Sequence, residues 1–250
     1  MSNASIKVLT YNIHKGFSTS NLRFVLHDIK DSLRHVDADV VFLQEIQGER
    51  TISKNRFDDW PNNRQFEFLA DQVWQHHAYG KNAIYKSGHH GNAILSKYPF
   101  IKWENIDVSI MRSASRSLLH GTIQIPGIEQ KVHIICVHLG LFERERESQL
   151  ATLSKRISSH VPSDEPLIIA GDFNDWRNTL AEQSLANHGF QQVTSPPSDY
   201  RSFPSWLPVG GLDKVFVRGG VTTERVKVVR TSLARVASDH LPIVVDFSLK

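Results

Sequence analysis

Nine stretches of the chain are apolar, short and bounded by polar or turn residues. They are Ile6–Tyr11, Val40–Leu43, Ala93–Ser96, Leu118–Ile125, Val132–Val137, Leu167–Ala170, Lys214–Val217, Arg225–Val229 and Ile243–Phe247. This pattern predicts strands, several of them buried on both faces. Between them, apolar residues recur at helical spacing. Leu22, Leu26, Ile29 and Leu33 predict one helix, and Phe66, Leu69, Ala70 and Val73 another. A third carries Leu150, Leu153 and Ile157 behind the charged Glu143–Glu147 turn, and Leu180–Ala186 predicts a short fourth. Strands interleaved with helices, with strand-rich stretches between, predict α/β layering. The only long irregular stretch, Thr194–Gly211, holds four prolines and also Tyr200, Phe203 and Trp206. Aromatics embedded in so long a loop predict that it is ordered.

Polar residues punctuate the strand ends in a consistent order. Ile6–Tyr11 ends in Asn12, Val40–Leu43 in Gln44-Glu45, Val132–Val137 in His138, and Leu167–Ala170 in Gly171-Asp172-Phe173-Asn174. Toward the C-terminus the order inverts. Asp213 precedes Lys214–Val217, and Ser238-Asp239-His240 precedes Ile243–Phe247. If the last two strands run antiparallel to the first four, Asn12, Glu45, His138, Asp172, Asp213 and His240 meet on one rim, where the sheet holds them rigidly. Taken singly each signal is bland: Asp172 and Asn174 spell an Asx-type turn, and His138 spells a satisfied rim histidine. Six such coincidences in order are not explained by turn chemistry.

Charge and cysteine usage narrow the function only slightly. In 250 residues, 29 basic and 26 acidic side chains give a net charge of +3, spread along the chain rather than gathered in the basic stripe of a dedicated DNA binder. The single cysteine, Cys136, lies inside an apolar run. It excludes an intramolecular disulfide framework and predicts a small core residue. No run approaches the ~20 apolar residues of a membrane span, and no basic region followed by an apolar stretch opens the chain. The expectation is a cytoplasmic monomer with no stable membrane span, forming one catalytic domain over residues 1–250 with its core at 6–247.

The polar set suits phosphate-ester hydrolysis. A phosphoester resists attack because its oxygens are negative, and a hard cation on those oxygens lowers that barrier. Asn12, Glu45 and Asp239 can supply amide and carboxylate oxygens, a donor set that suits Mg²⁺, with Mn²⁺ as a substitute. No Cys/His cluster has zinc spacing. Asp172 can accept a proton from an attacking water, and Asn174 can hold an oxygen in place. His240 needs an orienting carboxylate, for which Asp213 is the candidate. His138 can donate to a phosphate oxygen, and Arg116 is a candidate phosphate clamp.

The motifs Thr10-Tyr11-Asn12-Ile13-His14-Lys15-Gly16, Leu43-Gln44-Glu45, Gly91-Asn92-Ala93-Ile94-Leu95-Ser96-Lys97-Tyr98-Pro99, Val137-His138-Leu139, Gly171-Asp172-Phe173-Asn174, Leu212-Asp213 and Ser238-Asp239-His240 resemble those of the endonuclease/exonuclease/phosphatase (DNase I-like) superfamily. The resemblance runs from Ile6 to Phe247. It implies a four-layered α/β/β/α sandwich of two packed mixed sheets. It also implies Glu45 as main metal ligand helped by Asn12 and Asp239, Asp172 and Asn174 at the nucleophilic water, and His240 paired with Asp213. His138 matches the second active-site histidine of the DNase I-like and sphingomyelinase-like branches, where the repair-nuclease branch has Pro-Asn. DNase I supports that histidine with a glutamate. The comparable stretch here, His89-His90-Gly91-Asn92, has no carboxylate, which leaves Asn92 to support His138. In detail the spelling resembles small bacterial members, which bring no substrate with them.

Three functions follow as expectations. The first is a phosphodiesterase acting on a phospholipid head group or another small phosphodiester, motivated by His138, the modest charge and the aromatic loop. The second is a nuclease, which would need Lys15, Lys81, Lys86, Arg112, Arg116, Arg177 and Arg201 on its substrate face. The third, a phosphate-binding scaffold, predicts losses in the catalytic set, and none is lost. Asn92, His89, His90, Trp176 and Arg177 are expected to line the substrate cleft.

Overall fold

Strand residues alternate faces, so a strand apolar at every position must be covered on both sides. In β1 (Ala4–Asn12), Ile6 and Val8 turn one way, and Leu9 and Tyr11 the other. The same division holds in β2 (Val40–Arg50), in β7 (Val132–His138) and in β8 (Leu167–Asp172). The computed structural model describes residues 4–20, 23–50, 61, 63–85, 88–110 and 115–249. It resolves these demands into two six-stranded sheets packed face to face.

The first sheet has the order β11-β12-β1-β2-β4-β3, with β3 at His76–Tyr85, β4 at Gly88–Ser96, β11 at Val221–Val228 and β12 at Ile243–Leu249. The second has the order β5-β6-β7-β8-β10-β9, with β5 at Phe100–Asp107, β6 at Ser117–Ile123, β9 at Gln191–Gln192 and β10 at Asp213–Arg218. Between the sheets lies a core that includes Val8, Phe42, Ile94, Ile134, Cys136, Ile168 and Val245. Outside the first sheet, α1 (Leu26–Val36) and α2 (Gln65–Ala70) bury Leu26, Ile29, Leu33, Phe66 and Leu69. Outside the second, α3 (Glu143–His160) and α4 (Leu180–Ala186) bury Leu150, Leu153, Ile157 and Leu185. The expected four layers are present, and Cys136 is a core residue whose thiol burial pushes up to about 12.

All nine expected strands form, with shifted ends. Val40–Leu43 continues to Arg50 through a register shift beside Glu45. The Glu143–Glu147 stretch is the first turn of α3 itself, where acidic side chains meet the positive end of the helix. Leu22 lies outside the described residues, and α1 begins at Leu26. α2 stops at Ala70, before Val73, because Asp71 takes a positive φ of 43°. Thr194–Gly211 is the ordered, irregular segment expected, closed on itself where Val209 and Gly210 N–H donate to the Phe203 carbonyl.

A buried polar chain also ties α3 to its sheet. Arg156 Nε donates to His120 Nδ1 (3.1 Å), so the His120 hydrogen sits on Nε2 and is donated to His133 Nδ1 (2.9 Å). His133 Nε2 then donates to Glu165 (2.6 Å). Burial lowers both imidazoles below their ordinary pKa, His120 to about 3, which keeps the chain neutral and directional.

The inter-sheet core generates one prediction. Phe42 is fully buried at its centre. Phe42→Ala should cost about 3–5 kcal/mol, the usual loss for a large ring leaving a cavity. Urea unfolding measures it, and a loss below about 1 kcal/mol would contradict the packing described.

Candidate active site

The strand registers deliver the polar groups. β1 and β2 are parallel, with Asn12 opposite Gln44 and Glu45 next in line. β7 and β8 are parallel, with His138 opposite Asp172, and β10 runs antiparallel to β8 with Asp213 opposite the same Asp172. β12 is antiparallel to β1, so the Ser238-Asp239-His240 segment before it returns to the Asn12 end, where Ser238 Oγ donates to the Asn12 carbonyl (2.7 Å). The inversion of order in the sequence is therefore the inversion of strand direction, and both sheets present their chemistry on one rim.

Asp172 is the meeting point. Its Oδ2 accepts from Asn12 Nδ2 of the other sheet (3.2 Å), and His138 Nε2 and His240 Nε2 each lie 3.7 Å away. Its Oδ1 accepts from the Asn174 N–H (3.0 Å). Asn174 sits at a left-handed φ of 50°, which asparagine tolerates better than most residues, and its side chain donates to the Leu139 carbonyl (3.0 Å). Asp213 Oδ2 accepts from His240 Nδ1 (2.8 Å) and from Ser202 Oγ (2.5 Å).

The electrostatics separate the two histidines. Burial alone would lower His240, but the Asp213 and Asp172 carboxylates outweigh it and hold His240 as a cation well above the ordinary imidazole range. Burial raises Asp172, Asp213 adds to that, and His240 opposes it, leaving Asp172 above the usual carboxylate range. His138 is pushed the other way, well below its ordinary value, by burial and by the charge of Arg116. The pocket thus holds one imidazolium and one neutral imidazole.

Glu45 faces them from the first sheet. Its φ of 56° is costly for a residue other than glycine, and such strain tends to gather at functional sites. Burial raises its pKa, but positive charge facing it, that of Lys15 above all, outweighs burial and holds it at about 2. Lys15 Nζ lies 3.3 Å from Glu45 Oε2, and His14 Nδ1 lies 3.3 Å from Asp239 Oδ1 and 4.0 Å from Glu45 Oε2. Glu45 Oε2 is buried with no hydrogen bond. The chemistry of this corner fits a hard divalent cation: two carboxylates, Glu45 and Asp239, and the amide oxygen of Asn12, with other positions left for water. Among the described residues no three His, Cys, Asp or Glu side chains form a metal cluster of their own, so such a cation would depend on the amide and on water.

The flanking residues divide. Arg116 is held beside the pocket by the Leu139 and Ser115 carbonyls (3.1 and 3.2 Å) and has no carboxylate within ion-pair distance among the described residues. His90, half-buried, is lowered to about 4, chiefly by burial, and interacts with Glu45 and Arg116. Trp176 is exposed at the mouth, edge-on to Phe203 (5.9 Å), which packs on His240 (4.8 Å). Two expectations fail. Asn92 is buried but donates to the Ser117 carbonyl (3.0 Å), so it is not the support for His138. His89 points to the opposite face from His90, as alternation requires, and its Nδ1 contacts Tyr79 Oη (2.9 Å) in the α2 cluster. Of the basic candidates, Lys15 and Arg116 reach the rim, Lys81, Arg177 and Arg201 are exposed, and Lys86 and Arg112 lie outside the described residues.

Four contributors were not singled out as site residues by the sequence. His14 is brought in by a tight 3₁₀ turn (His14–Gly16) whose residues all take positive φ, a geometry only hinted at by Gly16. Ser202 comes from the long loop, and Phe203 beside it covers His240. Lys214 is buried and donates to the Asp175 and Gly211 carbonyls (3.0 and 2.8 Å), pinning the loops on both sides of Asp213, and burial lowers it to about 8.

With this geometry in hand, known proteins place the chain. It is 40% identical over 250 residues to the Escherichia coli (strain K12) protein designated "Uncharacterized protein YbhP", covering 98% of this chain and 97% of that one. Its structure is similar to that of the endonuclease/exonuclease/phosphatase from Beutenbergia cavernae (TM-score 0.77, 20% identity, 98% of this chain and 72% of that one). It is also similar to the catalytic domain of human Nocturnin with bound sulfate (TM-score 0.73, 18% identity, 100% and 97%). The model of the Endonuclease/Exonuclease/phosphatase family matches residues 9–240, and the chain belongs to that family.

Proposed function

We propose that the chain is a Mg²⁺-dependent phosphodiesterase, with Mn²⁺ as a substitute metal. The observation that carries this reading is the convergence of Asn12, His138 and His240 on a single oxygen of the buried Asp172, backed by the His240–Asp213 bond. Family membership supports hydrolysis of a phosphoester in general. The substrate is a lipid head group or other small diester, because neutral His138 and the apolar mouth suit a ligand with limited charge.

Asn12, Glu45 and Asp239 would hold the cation, which when bound neutralises phosphoryl charge. The rest falls to the chain's own groups. Asp172, raised by burial, takes the proton of the attacking water while Asn12 and Asn174 fix its carboxylate. The water oxygen forms a bond to phosphorus, the ester P–O bond opposite breaks, and the departing oxygen takes up a proton from solvent. His240, kept cationic by Asp213, places positive charge against the phosphoryl oxygens, and neutral His138 donates a hydrogen bond there. Arg116 holds a further phosphate oxygen, and His90 and Trp176 flank the substrate, with Asn92 behind them shaping the wall.

Turnover of bis-p-nitrophenyl phosphate with Mg²⁺ tests this. Asp172→Asn and His240→Ala should each lower kcat by about a thousandfold, within the range of such groups, and Glu45→Ala should remove the metal dependence. Undiminished kcat in Asp172→Asn sinks the assignment. Plasmid DNA and RNA belong in the same screen, and a strong preference for them would make the protein a nuclease instead.

The pH profile is a separate prediction. Activity should rise as Asp172 deprotonates, above the usual carboxylate range, and fall only where His240 loses its proton, above the usual imidazole range. Asp213→Asn removes the charge that raises His240, so the alkaline limb should move to lower pH by about a unit or more. An alkaline limb that stays in place would count against His240 as the cationic group.

A further inference from the structure

Most large hydrophobic side chains that stand open to solvent lie at one end of the molecule. Among the described residues, Leu141, Phe142, Trp176, Trp206, Leu207, Val209, Val236 and Ile110 belong to loops or helix ends beside the active-site rim, and only Ile101 and Trp103, on edge strand β5, do not. This follows from topology. Leu141 and Phe142 follow the end of β7 that carries His138, Trp176 follows β8 beyond Asp172, and Trp206–Val209 precede β10 at Asp213. Val236 lies in the last turn of helix α5 (Ser232–Ala237), shortly before Asp239.

The sharpest part is the tip of the long loop. Trp206, Leu207 and Val209 are 63%, 57% and 57% exposed, and Val236 beside them 54%. Trp206 and Val236 share with Arg23 and Arg235 a groove of about 450 Å³ that also contains Asp28. Neither arginine has a carboxylate within ion-pair distance among the described residues, and Arg235 is spent only on the Trp206 carbonyl (3.4 Å). The groove is joined to the active site by backbone: Ser205 N–H donates to the Asp239 carbonyl (2.7 Å), and Ser205 Oγ to the Ser238 carbonyl (2.6 Å).

We infer that the Trp206–Val209 tip, with Val236, Arg23 and Arg235, docks on the surface of an anionic phospholipid bilayer and so presents the rim to lipid head groups. The inference deepens the phosphodiesterase reading and rests on it for the substrate. A tryptophan beside aliphatic side chains and unpaired arginines matches the chemistry of a bilayer interface, where rings and aliphatic groups enter the acyl boundary and guanidinium groups meet lipid phosphates. A single-stranded nucleic acid would offer stacking to Trp206 but nothing to Leu207, Val209 and Val236, which would stay wet. Docking is peripheral, since no helix of the described residues is long and apolar enough to cross a membrane.

Co-sedimentation of the full chain with vesicles of phosphatidylcholine and phosphatidylglycerol at 3:1 tests the inference, with pure phosphatidylcholine as comparison. The protein should bind the anionic vesicles and release as salt is raised. Trp206→Ala/Leu207→Ser should weaken binding about tenfold, as the loss of this much buried apolar surface predicts, and leave turnover of bis-p-nitrophenyl phosphate unchanged. Arg23→Gln/Arg235→Gln should also weaken it at least tenfold, since each basic side chain at an anionic surface is worth roughly fivefold. Binding that persists in both double variants, or is absent in the wild type, overturns the inference. So does a loss confined to a single-stranded oligonucleotide, which would mark the tip as a nucleic-acid surface. Vesicle binding without turnover of any diester would support docking and end the hydrolase reading, whereas turnover without vesicle binding would end docking alone.

Discussion

The site depends on satisfying one buried carboxylate. Asp172 lies at the rim where central strand ends of the two sheets meet, and a carboxylate withdrawn from water needs donors on every side. One donor, Asn12, belongs to the first sheet, and the Asn174 backbone belongs to the second. His240 comes from the segment that leads back into the first sheet yet bonds to Asp213 of the second. The apolar core sets how far apart the sheets lie, and the Asn12–Asp172 contact sets how they are aligned at this edge. Any slip of one sheet against the other would leave Asp172 short of a donor in a low-dielectric place.

Around that contact the charges form two groups. Asp172 and Asp213 enclose the His240 cation on one side, while Glu45 and Asp239 face His14 and Lys15 on the other. The first group sets two carboxylates against one imidazolium, and the second sets two carboxylates beside Lys15 and His14, so the rim carries strong local fields of both signs within a small space. These few residues are a small part of the 29 basic and 26 acidic side chains of the chain, which explains why composition alone said little about what the protein binds.

What was legible in the sequence was whatever the sheets control rigidly. β7 and β8 are covered on both faces, so they spell apolar runs, interrupted within β7 only by His133, and the polar residues closing them stand out. β3 was not legible because His76–Tyr85 mixes polar and apolar residues and is held as a strand by its pairing with β4 rather than by its own propensity. β5 is an exposed edge and lacks an apolar run, and α5 is too short to show a period, although Thr231 caps it by accepting from the Ala234 N–H (3.1 Å). The same division holds in the site. Asn12, Glu45, His138, Asp172, Asp213 and His240 were found through strand ends, but His14 arrives by a left-handed turn and Ser202 by a loop stitched across the molecule. The error over Asn92 was one of partner choice. Its place near the site came from the resemblance, but the acceptor it meets, the Ser117 carbonyl, belongs to a strand whose approach no local pattern encodes.

The long loop before β10 is unevenly constrained. Its middle braces the candidate site: Ser202 bonds Asp213, the Leu241 N–H donates to the Ser202 carbonyl, and Ser205 bonds the Ser238–Asp239 backbone. Beyond Ser205, the four residues from Trp206 to Val209 bond chiefly back to their own loop. A lineage can therefore rewrite those four positions without disturbing the hydrogen bonds that Ser202 and Ser205 make. A braced base and an open tip share one loop here but are exposed to selection separately.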